Sequence, residues 1–286
     1  MRISTPIRIL TLIAATLSAT PVLAHGRYVL PSHTLLSGEE PQSVTLNASI
    51  TNDIFHPDKP LGNNGGGSAN PFLLKIFSHV TPYITGPDGK TQEVIELTAF
   101  TRQSTGDVTL KEDGTYRVTI EQTPTQMIYF KNADGSPNRI IGERSALPPG
   151  ATDIEAHLIS ARVETFITNN APTPLAKHAS GSGIEIGGTA HPNDLFVGEP
   201  ATFQLLLDGQ PLTAGVDAHL EFGGTRHRNE RNTQAFTTNE AGEITVEFAQ
   251  AGFYLLEVEV SAPAPKTDKV KARHHSLYLT LEVFPQ

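Results

Sequence analysis

His25 follows Val22-Leu23-Ala24, a small-residue cleavage motif behind Arg2, Arg8 and an apolar run over residues 9–19. Together these describe a secretory signal peptide. Cleavage after Ala24 makes His25 the first residue of the mature chain. An N-terminal histidine offers one metal ion two nitrogens, its α-amino group and its imidazole Nδ1, and closes a chelate ring alone. An α-amino pKa of about 8 lies near enough to neutrality for a divalent metal to displace the proton. The ordinary reading is a residue that merely follows a cleavage site, so further ligands have to be sought.

His56 is the better partner by composition. In Asn52-Asp53-Ile54-Phe55-His56-Pro57-Asp58 an imidazole stands between two carboxylates, and imidazole with carboxylate suits nickel, cobalt, copper or zinc. Asp53 joins His25 and His56 as a candidate metal ligand, against the competing reading of a solvated loop. His33 is a poor partner, because an extended chain would hold it about 26 Å from His25. His274 and His275 are adjacent and face opposite ways in a strand. His227 sits among Arg226, Arg228 and Arg231, guanidiniums that repel a cation, so Arg226 and Arg228 read as an anion or partner contact. His79, His157, His178, His191 and His219 have no neighbour pattern that raises them above structural or surface roles.

Composition narrows the setting. The chain has no Cys and no Trp, which excludes disulfides and thiolate metal sites. The net charge of −9 argues against a nucleic-acid surface and favours cationic partners. No apolar run beyond the leader approaches the roughly 20 residues of a membrane helix. The expected mature protein is exported and periplasmic, and not membrane-embedded.

The elements that must position these residues read as strands. Residues 27–30, 43–50, 80–85, 92–97, 115–121, 127–131, 157–168, 202–207 and 275–283 are strand candidates, several with period-two alternation, separated by turns such as Gly86-Pro87-Asp88-Gly89. Residues 57–71 carry many Gly, Pro and Asn and read as a loop. The second half echoes the first: Gly38-Glu39-Glu40-Pro41 matches Gly198-Glu199-Pro200, and Asp113-Gly114-Thr115-Tyr116 matches Ala251-Gly252-Phe253-Tyr254. The shared Gly-x-Tyr suits a tyrosine corner. The expected architecture is all-β: a signal peptide over 1–24, a β-sandwich domain over 25–168, a linker over 169–183, and an immunoglobulin-like β-sandwich over 184–286, two antiparallel sandwiches in tandem.

The signal peptide ending in Ala24-His25, the motifs Leu30-Pro31-Ser32-His33-Thr34 and Ser49-Ile50-Thr51-Asn52-Asp53-Ile54-Phe55, and the later His191-Pro192-Asn193-Asp194-Leu195 together resemble the exported domain-of-unknown-function 4198 family. So do Leu207-Asp208-Gly209-Gln210-Pro211-Leu212, Gly223-Gly224-Thr225-Arg226, Asn239-Glu240-Ala241-Gly242 and Leu279-Thr280-Leu281-Glu282-Val283. The resemblance spans essentially the whole mature chain. It implies a two-lobed β protein serving nickel or cobalt uptake, in association with membrane or outer-membrane transport components, and carries over no ligand set.

Nothing in the sequence marks a hydrolase elbow, a zinc-protease helix or a phosphate loop. The leading expectation is therefore a non-enzymatic accessory protein that holds a divalent transition metal (nickel, cobalt or copper) through His25. The alternatives are a structural, adhesion or carbohydrate-binding sandwich without metal, and a copper-dependent enzyme that cleaves polysaccharides oxidatively, which also uses an N-terminal histidine.

Overall fold

A computed structural model describes residues 26–62, 75, 79–264 and 269–286. The expected signal peptide, His25 and the part of the 57–71 loop beyond residue 62 lie outside the described residues. The described chain is all-β, and its longest strands fall on the alternating segments of the sequence. In chain order the main strands are β1 Gly26–Pro31, β2 Gln42–Thr51, β3 Val80–Thr85, β4 Ser104–Leu110, β5 Gly114–Lys131 and β6 Thr152–Asn169 in the first half. The second half contributes β7 Ile184–Gly187, β8 Pro200–Leu207, β9 Asp217–Phe222, β10 Gln234–Thr237, β11 Glu243–Glu247, β12 Gly252–Pro263 and β13 Ala272–Val283.

These strands form three sheets. A ten-stranded sheet runs β10-β9-β12-β13-β6-β5-β3 and ends on the short strand Gln92–Val94. A five-stranded sheet is built on β1-β2-β4, and a four-stranded one on β7-β8 with β11. Neighbouring main strands pair antiparallel except at the joint of the two halves, where β6 and β13 run parallel from His157 opposite Ala272 to Thr165 opposite Thr280.

That joint changes the expected picture of tandem sandwiches on either side of a linker, because one sheet passes through both halves and carries a separate core on each face. On β13, Tyr278 belongs to the first core and Leu277, Leu279 and Leu281 to the second; on β12, Leu255 belongs to the first and Leu256 and Val258 to the second. Side chains alternate across a strand, so the two small sheets cover opposite faces of the large one. The segment read as a linker is packed as well. Its 3-10 turn Leu175–His178 buries both end residues, and Leu175 joins the second core.

Both Gly-x-Tyr motifs form the expected corners. The Tyr116 hydroxyl donates to the Glu112 carbonyl at 3.1 Å and accepts from the Lys111 and Glu112 amides at 3.1 and 2.7 Å. The Tyr254 hydroxyl donates to the Gln250 carbonyl at 2.9 Å and accepts from its amide at 3.2 Å. Gly114 and Gly252 each hold a positive φ, 130° and 133°, a conformation that suits glycine ahead of each corner.

Candidate functional site

The site is built where β1 crosses the large sheet. Gly26 pairs with Thr51 of β2, and a Cβ added to it would lie 3.9 Å from the Leu255 side chain of β12. Gly26 lines a cavity of about 150 Å³ with Thr51, Asn52, Ile54, His219, Glu221, Arg231 and Glu257 among its other walls. His25, bonded to Gly26, is outside the described residues.

Register explains how the titratable walls converge. His219 stands directly opposite Glu257, and Glu221 opposite Leu255, on the antiparallel pair β9 and β12. His219 and Glu221 are two residues apart on one strand, so all three polar side chains share the face that also carries Leu255. The apolar neighbours Ala218, Leu220, Leu256 and Val258 point to the second core. Each strand thus pairs an apolar face with a titratable one.

The electrostatics of this face are unusual for carboxylates. Burial, with the Glu259 and Glu221 charges behind it, pushes the Glu257 carboxyl up to about 7. Burial also raises Glu221, against the lowering influence of Arg231 and Arg228. Glu221 is 7% exposed; its Oε2 lies 3.6 Å from the Arg231 guanidinium, while its Oε1 is buried with no partner. A cation in the cavity would supply that partner and draw the proton off Glu257. Imidazole with two carboxylates is a donor set for a late first-row divalent metal. Among the described residues no group of three or more His, Asp or Glu is arranged to hold a metal ion, so the cavity walls do not make a complete ligand set by themselves.

The residues singled out in the sequence fall around this cavity. Asn52 and Ile54 line it, and Asp53 does not; its carboxylate lies 3.6 Å from Arg231. His56 forms an isolated bridge with Asp53, and its Nε2 is buried without a partner. Burial, and then the Arg226 charge, lowers its pKa, so the bend 52–56 and the arginine loop read separately in sequence are neighbours in space. Arg226 is exposed. Arg228 turns inward: its guanidinium donates to the carbonyls of Phe222, Gly223, Glu230 and Arg231 at 2.5, 2.5, 2.9 and 2.8 Å, and braces the loop. Arg231 donates to the Asn52 carbonyl and spans both carboxylates, which ties that loop to the cavity rim. His33 is exposed at the far end of β1 from Gly26.

His219 and Glu257 carried no local signal. They are 38 positions apart and meet only through the β9–β12 register. The alternation of Ala218-His219-Leu220-Glu221 and of Leu256-Glu257-Val258-Glu259 was the signal available, since titratable residues in phase on strands with an apolar opposite face must point somewhere together.

The family model "Domain of unknown function (DUF4198)" matches residues 22–262. The chain belongs to this family. No curated protein matches it. Among solved structures, trypsin-activated alpha-2-macroglobulin from Escherichia coli is 11% identical with a TM-score of 0.22, over 89% of this chain and 23% of that one. The two tandem V-type regions of VCBP3, a v-region-containing chitin binding protein, are 10% identical with a TM-score of 0.20, over 88% of this chain and 98% of that one. This chain therefore spans under a quarter of that macroglobulin chain's length.

Proposed function

We propose that this chain is an exported, periplasmic metal-handling protein whose mature N-terminal His25 chelates a divalent transition metal (nickel, cobalt or copper) over the cavity walled by His219, Glu221 and Glu257. The observation that carries this reading is the position of Gly26: the residue to which His25 is bonded lines the same cavity as an imidazole, a buried carboxylate with an unpartnered oxygen, and a second carboxylate held near neutrality. The α-amino group and imidazole of His25 supply two nitrogens, His219 a third, and Glu257 or Glu221 an oxygen, in keeping with the preferences of these metals. Arg231 balances the Glu221 charge when no metal is bound. Asp53 and His56 then act at the rim, through Arg231 and the arginine loop. A transport component at the membrane or outer membrane is the partner that would deliver or receive the ion.

The test is calorimetric titration of nickel, copper and cobalt into the mature chain beginning at His25, with His219→Ala and Glu257→Gln beside it. Loss of His219 weakens binding by at least tenfold, about 1.4 kcal/mol, and leaves the fold intact by circular dichroism. Unchanged affinity in both variants would remove the cavity from the site.

A further inference from the structure

A second cluster of metal-ligating side chains stands away from the cavity, on the strands that join the two halves. His157 of β6 and His274 of β13 direct ring nitrogens at each other, Nδ1 to Nε2 at 2.8 Å, with the rings edge to edge, 5.0 Å between centroids and 26° between planes. The parallel register brings this about: His157 pairs with Ala272 and Ile159 with His274, so the two histidines lie on one face, diagonally across the joint. Both rings are half-buried.

One remote nitrogen is held by an oxygen and the other faces a carboxylate. His274 Nδ1 lies 2.8 Å from the Ser261 hydroxyl, and His157 Nε2 lies 3.8 Å from Glu155. Partners of this kind fix the ring orientation of histidines that ligate metals and raise their basicity. The near nitrogens, by contrast, face each other at hydrogen-bond distance, where one ring donates and the other accepts. Two metal–nitrogen bonds of about 2.0–2.1 Å set their nitrogens roughly 2.9–3.4 Å apart for angles from square to tetrahedral. The observed separation lies within a few tenths of an ångström of that range, and admitting an ion also requires each ring to turn by roughly 35–45° so that both lone pairs meet at it.

The surroundings provide further donors. Met127 stands directly opposite His157 on β5, and Glu259, two residues from Ser261 on β12, shares the His274 face. Met127, Glu259, Ser261 and His274 line one cavity of about 320 Å³. Burial, and then His157 beside it, lowers the pKa of His274.

We propose that His157 and His274 form a second transition-metal site, a two-imidazole site for copper, nickel or zinc open toward the Met127 and Glu259 cavity. Glu257 at the first cavity and Glu259 at the second alternate onto the same face of β12, so the two sites lie along one strand, an arrangement suited to passing an ion from one to the other. The second site does not depend on His25.

The experiment separates the two. A full mature chain extended at His25 by an N-acetyl group, which turns the α-amino nitrogen into an amide and removes the terminal chelate, is titrated with copper(II), nickel(II) and zinc(II) separately, alone and with His274→Gln or His157→Gln. The extended chain binds one equivalent of at least one of these metals, and either glutamine variant weakens that binding at least tenfold. The same variants with a free N-terminus keep the binding the extension removes, which shows that they are folded. An extended chain that binds no metal, or one whose binding survives both glutamine variants, overturns the second site and leaves the first untouched. If instead the free and extended chains bind alike and the glutamine variants abolish both, the second site stands and the cavity site falls.

Discussion

Glu257 departs far from the ordinary carboxylate value, and the sign of its effect follows from where it sits. Its carboxyl titrates at about 7 in the folded protein against 4.5 in the absence of the fold, so between those values the folded chain holds more protons than the unfolded one. Stability therefore falls as pH rises through that window. Glu257→Gln, which keeps shape and loses the charge, matches the wild-type chain below pH 4.5 and exceeds it above pH 7, by about 3 kcal/mol at 1.36 kcal/mol per unit. Urea denaturation of the metal-free protein from pH 4 to pH 8 measures this, and a constant difference across the range contradicts it. A metal bound there, as proposed, would displace the same proton, and its affinity is expected to weaken as pH drops below 7.

At the scale of elements, the tyrosine corners show what a local motif can specify. Gly-x-Tyr places a hydroxyl four residues downstream of the backbone groups it satisfies, at Tyr116 and again at Tyr254, and both were legible because donor, acceptor and turn lie within one short stretch. Tyr254→Phe leaves the Gln250 carbonyl and amide without these partners beside a hydroxyl-sized gap. The expected cost is about 1–2 kcal/mol, read as a lower urea midpoint with an unchanged slope; no change would mean that water replaces the hydroxyl. The strands themselves were legible for the same reason, since period-two alternation is a property of consecutive residues. The candidate site was not. His56 and Asp53 stood out through their sequence neighbours, yet the structure directs Asp53 to Arg231, and the residues on the cavity wall are His219 and Glu257, joined by a register that no local pattern encodes. His157 and His274 are 117 positions apart and meet for the same kind of reason.

At the scale of the whole molecule, the parallel pairing of β6 with β13 turns two sandwiches into one sheet with a core on each face. The sequence repeat pointed to two units, and the cores retain that duality. What alternation could not reveal is that Thr152–Asn169 and Ala272–Val283, one strand from each half, are long enough to pair along nine positions. The shared sheet also explains why a face of titratable residues exists. β1 crosses the first-core side of this sheet, with Gly26 in the first cavity and Arg27 lining the second, and the strip from Glu221 to His157 borders it. If the free N-terminus at His25 completes a metal site there, as proposed, calorimetric titration of nickel, copper, cobalt and zinc distinguishes the mature chain from the same chain extended by an N-acetyl group. The free terminus is expected to bind one more equivalent than the extended form. Identical stoichiometry and affinity in the two forms would contradict it.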